Sequence, residues 1–101
     1  NGYQVSKLVM DRIYLVLNLA LTAILPDICS NTSLKKYITY QLFGADISLS
    51  DTLVPHIMEI NKGPDMGSKD IRDENVKVKV LNDILIILGI IKGSHDFIRI
   101  I

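Results

Sequence analysis

Thirteen residues from Ile13 to Leu25 are apolar apart from Asn18 and Thr22. A run of this length falls short of the roughly 20 residues that a helix needs to span a bilayer, so it reads as a buried helix and not as an anchor. Lys7 and Arg12 precede it, as in a secretory signal, but Asp11 intrudes, Pro26 and Asp27 follow, and no small-residue cleavage site is present. Leu8, Val9, Tyr14, Leu15, Leu17, Leu21 and Ile24 recur at helical or near-helical spacings, which predicts a helix over Val5–Leu25. Pro26 is its expected stop, because a proline pushes the residue before it out of helical dihedrals.

Composition narrows the class. Eleven Lys and Arg balance eleven Asp and Glu in 101 residues, of which 49 % are apolar. That excludes a disordered chain, and zero net charge removes the simplest argument for a nucleic-acid or membrane-surface binder. A lone Cys29 excludes a disulfide framework and a cysteine-rich zinc site, and fits an intracellular protein. The length fits one small domain over residues 1–101, and a start at Asn1-Gly2 without Met predicts a piece of a longer protein. Asn31-Thr32-Ser33 matches the glycosylation sequon, which without a secretory context reads as chance.

Further along the chain, Asn31 to Ser33 can cap a second helix over 34–43, with Leu34, Tyr37, Ile38 and Leu42 on one face and Gly44 as its end. A third helix is expected over 51–60, with Leu53, Val54, Ile57 and Ile60 on its apolar face and Pro55 in its first turn. Residues 61–70 read NKGPDMGSKD, an exposed loop insertion. Residues 71–88 read as a final helix whose first turn carries Asp73 and Glu74, favourable at the positive end of the helix dipole. The β-branched tail, broken by Gly93-Ser94, predicts a β-hairpin.

The order helix, helix, helix, loop, helix, hairpin resembles a winged-helix domain, above all in Val80-Leu81-Asn82-Asp83-Ile84-Leu85-Ile86-Ile87-Leu88-Gly89-Ile90-Ile91-Lys92. In that fold a last core helix ends in a Leu-Gly-Ile step and enters the wing. Within the fold the chain resembles the C-terminal domain of the origin-recognition and initiator ATPases and of their silencing paralogue, the silent information regulator protein. Lys36-Tyr37-Ile38-Thr39-Tyr40 and Ile47-Ser48-Leu49-Ser50 would supply the middle parts, and the loop around Gly63 to Gly67 departs from the pattern. The dimeric cell-cycle factors of the retinoblastoma-binding class fit less well. Their Arg-Arg-x-Tyr-Asp signature is absent, and with it the usual bidentate reader of guanine. The resemblance implies a mostly α (α+β) fold, a winged helix with four helices and a C-terminal β-hairpin, in a nuclear chromatin or replication setting.

Candidate sites are sparse. Lys77, Lys79, Lys92 and Arg99 are the cations that such a domain could present to DNA phosphates, against a bland reading as a solvated surface offset by Asp73, Glu74 and Asp83. His56, His95 and Cys29 lie too far apart in sequence, with no HxxH, CxxC or HExxH spacing, so neither a metal nor a catalytic site is expected. Asp73/Glu74 and Asp70/Asp73 suit helix capping better than acid–base work. The glycines before Lys69 fail the phosphate-loop spacing. No cofactor and no enzyme activity are expected.

Sixteen Ile and thirteen Leu exceed what one small core must hold. Phe97, Ile98, Ile100 and Ile101 therefore form a candidate interface, either covered by the first helix or seeking a partner. The expected function is a non-catalytic interaction module that associates with itself. The alternatives are a DNA-binding winged helix acting through Lys77, Lys79, Lys92 and Arg99, and a helical scaffold of armadillo or HEAT type.

Overall fold

The computed structural model describes residues 1–28 and 40–101. In order they form α1 (Gly2–Ile28), β1 (Gly44–Leu49), β2 (Pro55–Asn61) and α2 (Ile71–Ile87). Two compact units result, one of Asn1–Pro64 with Ile100–Ile101, the other of Asp65–Arg99. Among the described residues there are thus two helices and one two-stranded sheet, not four helices and a C-terminal hairpin. The expected winged-helix fold is not formed.

In the first unit α1 runs past its expected stop, with Pro26 inside it. Pro26 lies in the last turn, so what it removes is confined to the helix end. The stretch Gly2–Asp27 is long and apolar enough to cross a bilayer by length and composition, which the shorter apolar run alone is not. Arg12 lies within it, and its guanidinium is bonded to the β1–β2 turn. The stripe Val9, Ile13, Val16, Leu17, Ala20 and Leu21 is half-buried, and α1 packs along β2. The expected helix over 34–43 lies mostly outside the described residues; its end, Tyr40 to Phe43, is not helical, and Gly44 opens a strand.

The segment expected as a third helix is the turn and second strand of an antiparallel ribbon. Ser50 decides this locally. Its N–H donates to Val54 O at 3.0 Å, its carbonyl accepts from Leu53 N at 2.9 Å, and its hydroxyl accepts from Val54 N at 3.0 Å. These bonds close a tight loop, and the Ser50 N–H takes the Val54 carbonyl that a helix would offer to Met58 N. Pro55, read as a first-turn helix residue, is the first residue of β2, where its missing N–H is tolerated.

In the second unit α2 occupies the segment expected to be helical. Asp70 caps it, accepting from Asp73 N at 2.8 Å. Its end is a Schellman turn: Gly89 N donates to Ile86 O and Ile90 N to Leu85 O, both at 3.0 Å, with Gly89 at φ 79°. Beyond it the expected hairpin is absent. The N–H groups of Gly89, Ile90 and Ile91 donate to helix carbonyls, that of Asp96 to the Asp83 carboxylate, and that of Phe97 to His95 Nδ1. Donors spent this way are not available to a strand ladder.

Candidate functional site

The ribbon sorts its side chains by chemistry. Residues paired across two strands share a face, and successive pairs alternate. Gly44/Asn61, Asp46/Glu59 and Ser48/His56 make one face, and Ala45/Ile60, Ile47/Ile57 and Leu49/Pro55 make the other. A bulge between Asp46 and Ile47 leaves Met58 as the extra residue of β2. Burial falls on part of the apolar face: Pro55 is buried and Ile47 and Ile57 half-buried, while Ala45, Leu49 and Ile60 are exposed; on the other face Gly44 is half-buried and Asp46, Ser48, His56, Glu59 and Asn61 are exposed.

The polar face therefore brings together groups that the sequence separates. Asp46 stands directly opposite Glu59, and Asn61 lies on the same face one rung further. Two carboxylates in register repel each other. They are also hard oxygen donors, and with an amide oxygen they suit a cation of the magnesium or calcium kind. No group of three or more His, Cys, Asp or Glu stands together as a metal site among the described residues. The donor set fits a cation held by one or two carboxylates and sharing its remaining positions with water or phosphate oxygens, the usual manner of magnesium.

Both ends of the ribbon are fixed. At the turn, Arg12 Nη1 donates to Thr52 O at 3.1 Å and to Leu53 O at 2.9 Å, across some forty residues of sequence. Leu53 holds the left-handed conformation that aims these carbonyls, at φ 63°. At the open end, Gln41 Nε2 donates to Lys62 O at 2.5 Å, and Pro64 packs against Gly44.

The cations expected to contact DNA are placed differently. Lys77 Nζ donates to Asp73 Oδ2 at 3.0 Å and to Gly67 O at 2.5 Å. Lys79 Nζ stands 2.7 Å from Asp83 Oδ1 and 3.3 Å from Asp96 Oδ2. These ion pairs spend both lysines on α2 and its flanking loops, and Lys92 and Arg99 lie exposed beyond the helix. The Lys79 ammonium and the Asp96 N–H hold the Asp83 carboxyl below the ordinary carboxylate range. The Lys69 N–H, then Lys77, do the same for Asp73. Of the expected interface, Phe97, Ile98 and Ile101 are 38 %, 61 % and 50 % exposed and lie on no strand, and the Ile100 carbonyl accepts from the Asn18 amide of α1.

Comparison with known proteins decides the family: the model of the tubulin-tyrosine ligase family matches residues 4–96. The chain belongs to that family. Tubulin monoglutamylase TTLL4 of Homo sapiens is 32 % identical over 65 residues, covering 63 % of this chain and 5 % of the relative. Tubulin polyglutamylase ttll-4 of Caenorhabditis briggsae is 36 % identical over 56 residues, covering 55 % of this chain and 9 % of the relative. The Caenorhabditis elegans protein of the same name is 34 % identical over 56 residues, with the same coverage. The chain thus spans only a small part of these relatives. No solved structure matches it.

Membership of the tubulin-tyrosine ligase family overturns the resemblance to origin-recognition and silencing proteins. With it go the nuclear chromatin or replication module, the helical scaffold, and the expected self-associating and DNA partners. The expectation of a non-catalytic chain fails too, since the family and its relatives are named for ligase and glutamylase activities. The Leu-Gly-Ile step that suggested a wing is a Schellman cap, which ends helices in any fold. Sequence reasoning missed Asp46, Glu59, Asn61 and Arg12. The first had a visible signal, because Ala45-Asp46-Ile47-Ser48-Leu49 alternates strictly between apolar and polar.

Proposed function

We propose that this chain is part of the catalytic domain of a ligase that joins an amino acid, by the names of its relatives glutamate, to tubulin. The polar face of the β1–β2 ribbon is its cation-binding edge. An amide does not form from a carboxylate and an amine in neutral water unless the carboxylate is activated; phosphoryl transfer from a nucleoside triphosphate is one means, the carboxylate oxygen taking the phosphoryl group and the amine then displacing phosphate. A divalent cation supplies charge neutralisation to phosphate oxygens in such chemistry. Asp46 and Glu59 are the residues that would hold it, and Asn61 would add a neutral oxygen donor.

The observation that carries this reading is Asp46 opposite Glu59 on the face that also carries Ser48, His56 and Asn61, within the span matched to the family. The apolar face behind it gives the carboxylates a fixed support, as a site on regular elements requires. The test is glutamate incorporation into tubulin, read by mass spectrometry, for the full-length protein carrying Asp46→Asn or Glu59→Gln. Both variants should fold cooperatively, as the parent does, and lose the modification. Full activity in both would refute the assignment.

A further inference from the structure

Arg12 is remote in sequence from the polar face, yet it holds the turn that joins the two strands of that face. Its two bonds, to Thr52 O and Leu53 O, are the side-chain hydrogen bonds that link α1 to the ribbon among the described residues. The turn closes on itself through Ser50 and leaves those two carbonyls outward, with Leu53 in a conformation unfavourable to a side chain. Apolar packing of β2 on α1 fixes the ribbon's distance from the helix but is non-directional, and it resists sliding poorly. One guanidinium nitrogen donating to two adjacent carbonyls is directional. It sets where the ribbon stands along α1, and with it where Asp46 and Glu59 stand.

We propose that Arg12 is a positioning residue for the cation site, fixing Asp46 and Glu59 by clamping the β1–β2 turn to α1. The proposal rests on the reading of the ribbon as the cation-binding edge. Arg12 donates through Nη1 to the turn and forms no ion pair with either carboxylate. Its loss acts on the site as the loss of a supporting residue acts on a metal centre, where affinity falls by about 10–100-fold.

The experiment is Mn2+ binding to the full-length protein, followed by electron paramagnetic resonance, for the parent, Arg12→Ala, Arg12→Lys, Arg12→Met and Glu59→Gln, with thermal melting alongside. Arg12→Ala should weaken Mn2+ binding by about tenfold or more. Arg12→Lys keeps a donor in the same place and should recover part of the loss. Mn2+ affinity unchanged in Arg12→Ala, with a lowered melting temperature, would show a structural role only and overturn the proposal. Should Arg12→Ala not fold, Arg12→Met, which keeps the side-chain stem and loses both donors, decides, and parental affinity there overturns it equally. Glu59→Gln separates the two readings. If it binds Mn2+ as the parent does, the ribbon is not the cation edge; if it loses binding while Arg12→Ala and Arg12→Lys do not, the positioning role alone fails.

Discussion

Asp83 is 2 % exposed, and its carboxylate accepts from Lys79 Nζ at 2.7 Å, one turn back along α2. The same carboxylate accepts from Asp96 N at 3.2 Å, so it also ties the chain after the Schellman turn to the helix. Lys79 and the Asp96 N–H both favour its charged form, as the contrary pull of burial does not, and its folded pKa lies below the ordinary value. A carboxyl lowered on folding stabilises the fold above its unfolded pKa of about 3.9, and that contribution is lost as pH falls through the folded value. Asp73 acts in the same direction. Lys79 is raised, so its contribution is present at neutral pH and lost only on the alkaline side, above about 10.4. Stability should therefore be level from neutral pH to about pH 5 and fall below about pH 4. Thermal melts across that range, with Asp83→Asn giving a shallower acid limb, check this; an equally steep limb in the variant would remove Asp83 from the account.

Gly89 ends α2 at φ 79°, and a Cβ there would meet nothing within 4 Å. The cost of a side chain is then purely conformational. Gly89→Ala should destabilise by about 1 kcal/mol, and Gly89→Asn by less, since Asn tolerates the left-handed region. Urea unfolding measures both. Equal losses for the two would mean that space, not dihedral angle, is what the position requires.

Gly44 poses the opposite case. Its Cβ would lie 3.1 Å from Pro64 Cβ, and a proline ring has little freedom to give way. Gly44 also pairs with Asn61 at the end of the polar face, so a push on Pro64 is felt where Asn61 leaves the strand. Gly44→Ala should cost about 1–3 kcal/mol, as overpacking does. The double substitution with Pro64→Gly should cost less than the two single losses added together. Strict additivity in that double-mutant cycle would show that the two residues do not press on each other.

What the sequence made legible was what is local. α2 carries its own signals, with Asp70 as cap, Asp73 and Glu74 in the first turn and Gly89 at the end, and each acts within a turn of its position. The ribbon does not. Leu53, Val54, Ile57 and Ile60 satisfy a helical spacing as well as a strand, and a short apolar run is ambiguous between them until tertiary contacts decide. Here Ser50 and Arg12 decide, one by closing the turn and the other from far back in the chain. The tail failed for the converse reason. Phe97 to Ile101 have strand composition, but β propensity expresses packing against a neighbouring strand, and the N–H groups of Asp96 and Phe97 at the segment's start are taken by Asp83 and His95. A sequence shows carboxylate pairs where they adjoin, as at Asp73 and Glu74, while the pair that faces across the sheet lies thirteen residues apart, at Asp46 and Glu59.

That pair gives a prediction free of any activity assay. Two carboxylates opposite each other in a ribbon cost about 0.2–1 kcal/mol of stability relative to a neutral pair. Without a divalent cation and at low salt, Glu59→Gln should therefore be more stable than the parent by an amount of that order. Added monovalent salt should narrow the gap, since exposed charges are screened over a Debye length of about 10 Å at 0.1 M. Added Mn2+ should reverse it. A ligand that binds the folded form alone stabilises by RT ln(1 + [L]/Kd), about 2.7 kcal/mol at a hundredfold excess over Kd, and Glu59→Gln forgoes most of that gain. Melting of the two proteins over a grid of NaCl and MnCl2 concentrations reads all three effects. A variant that is less stable than the parent before any cation is added would mean that the two carboxylates do not repel across the ribbon.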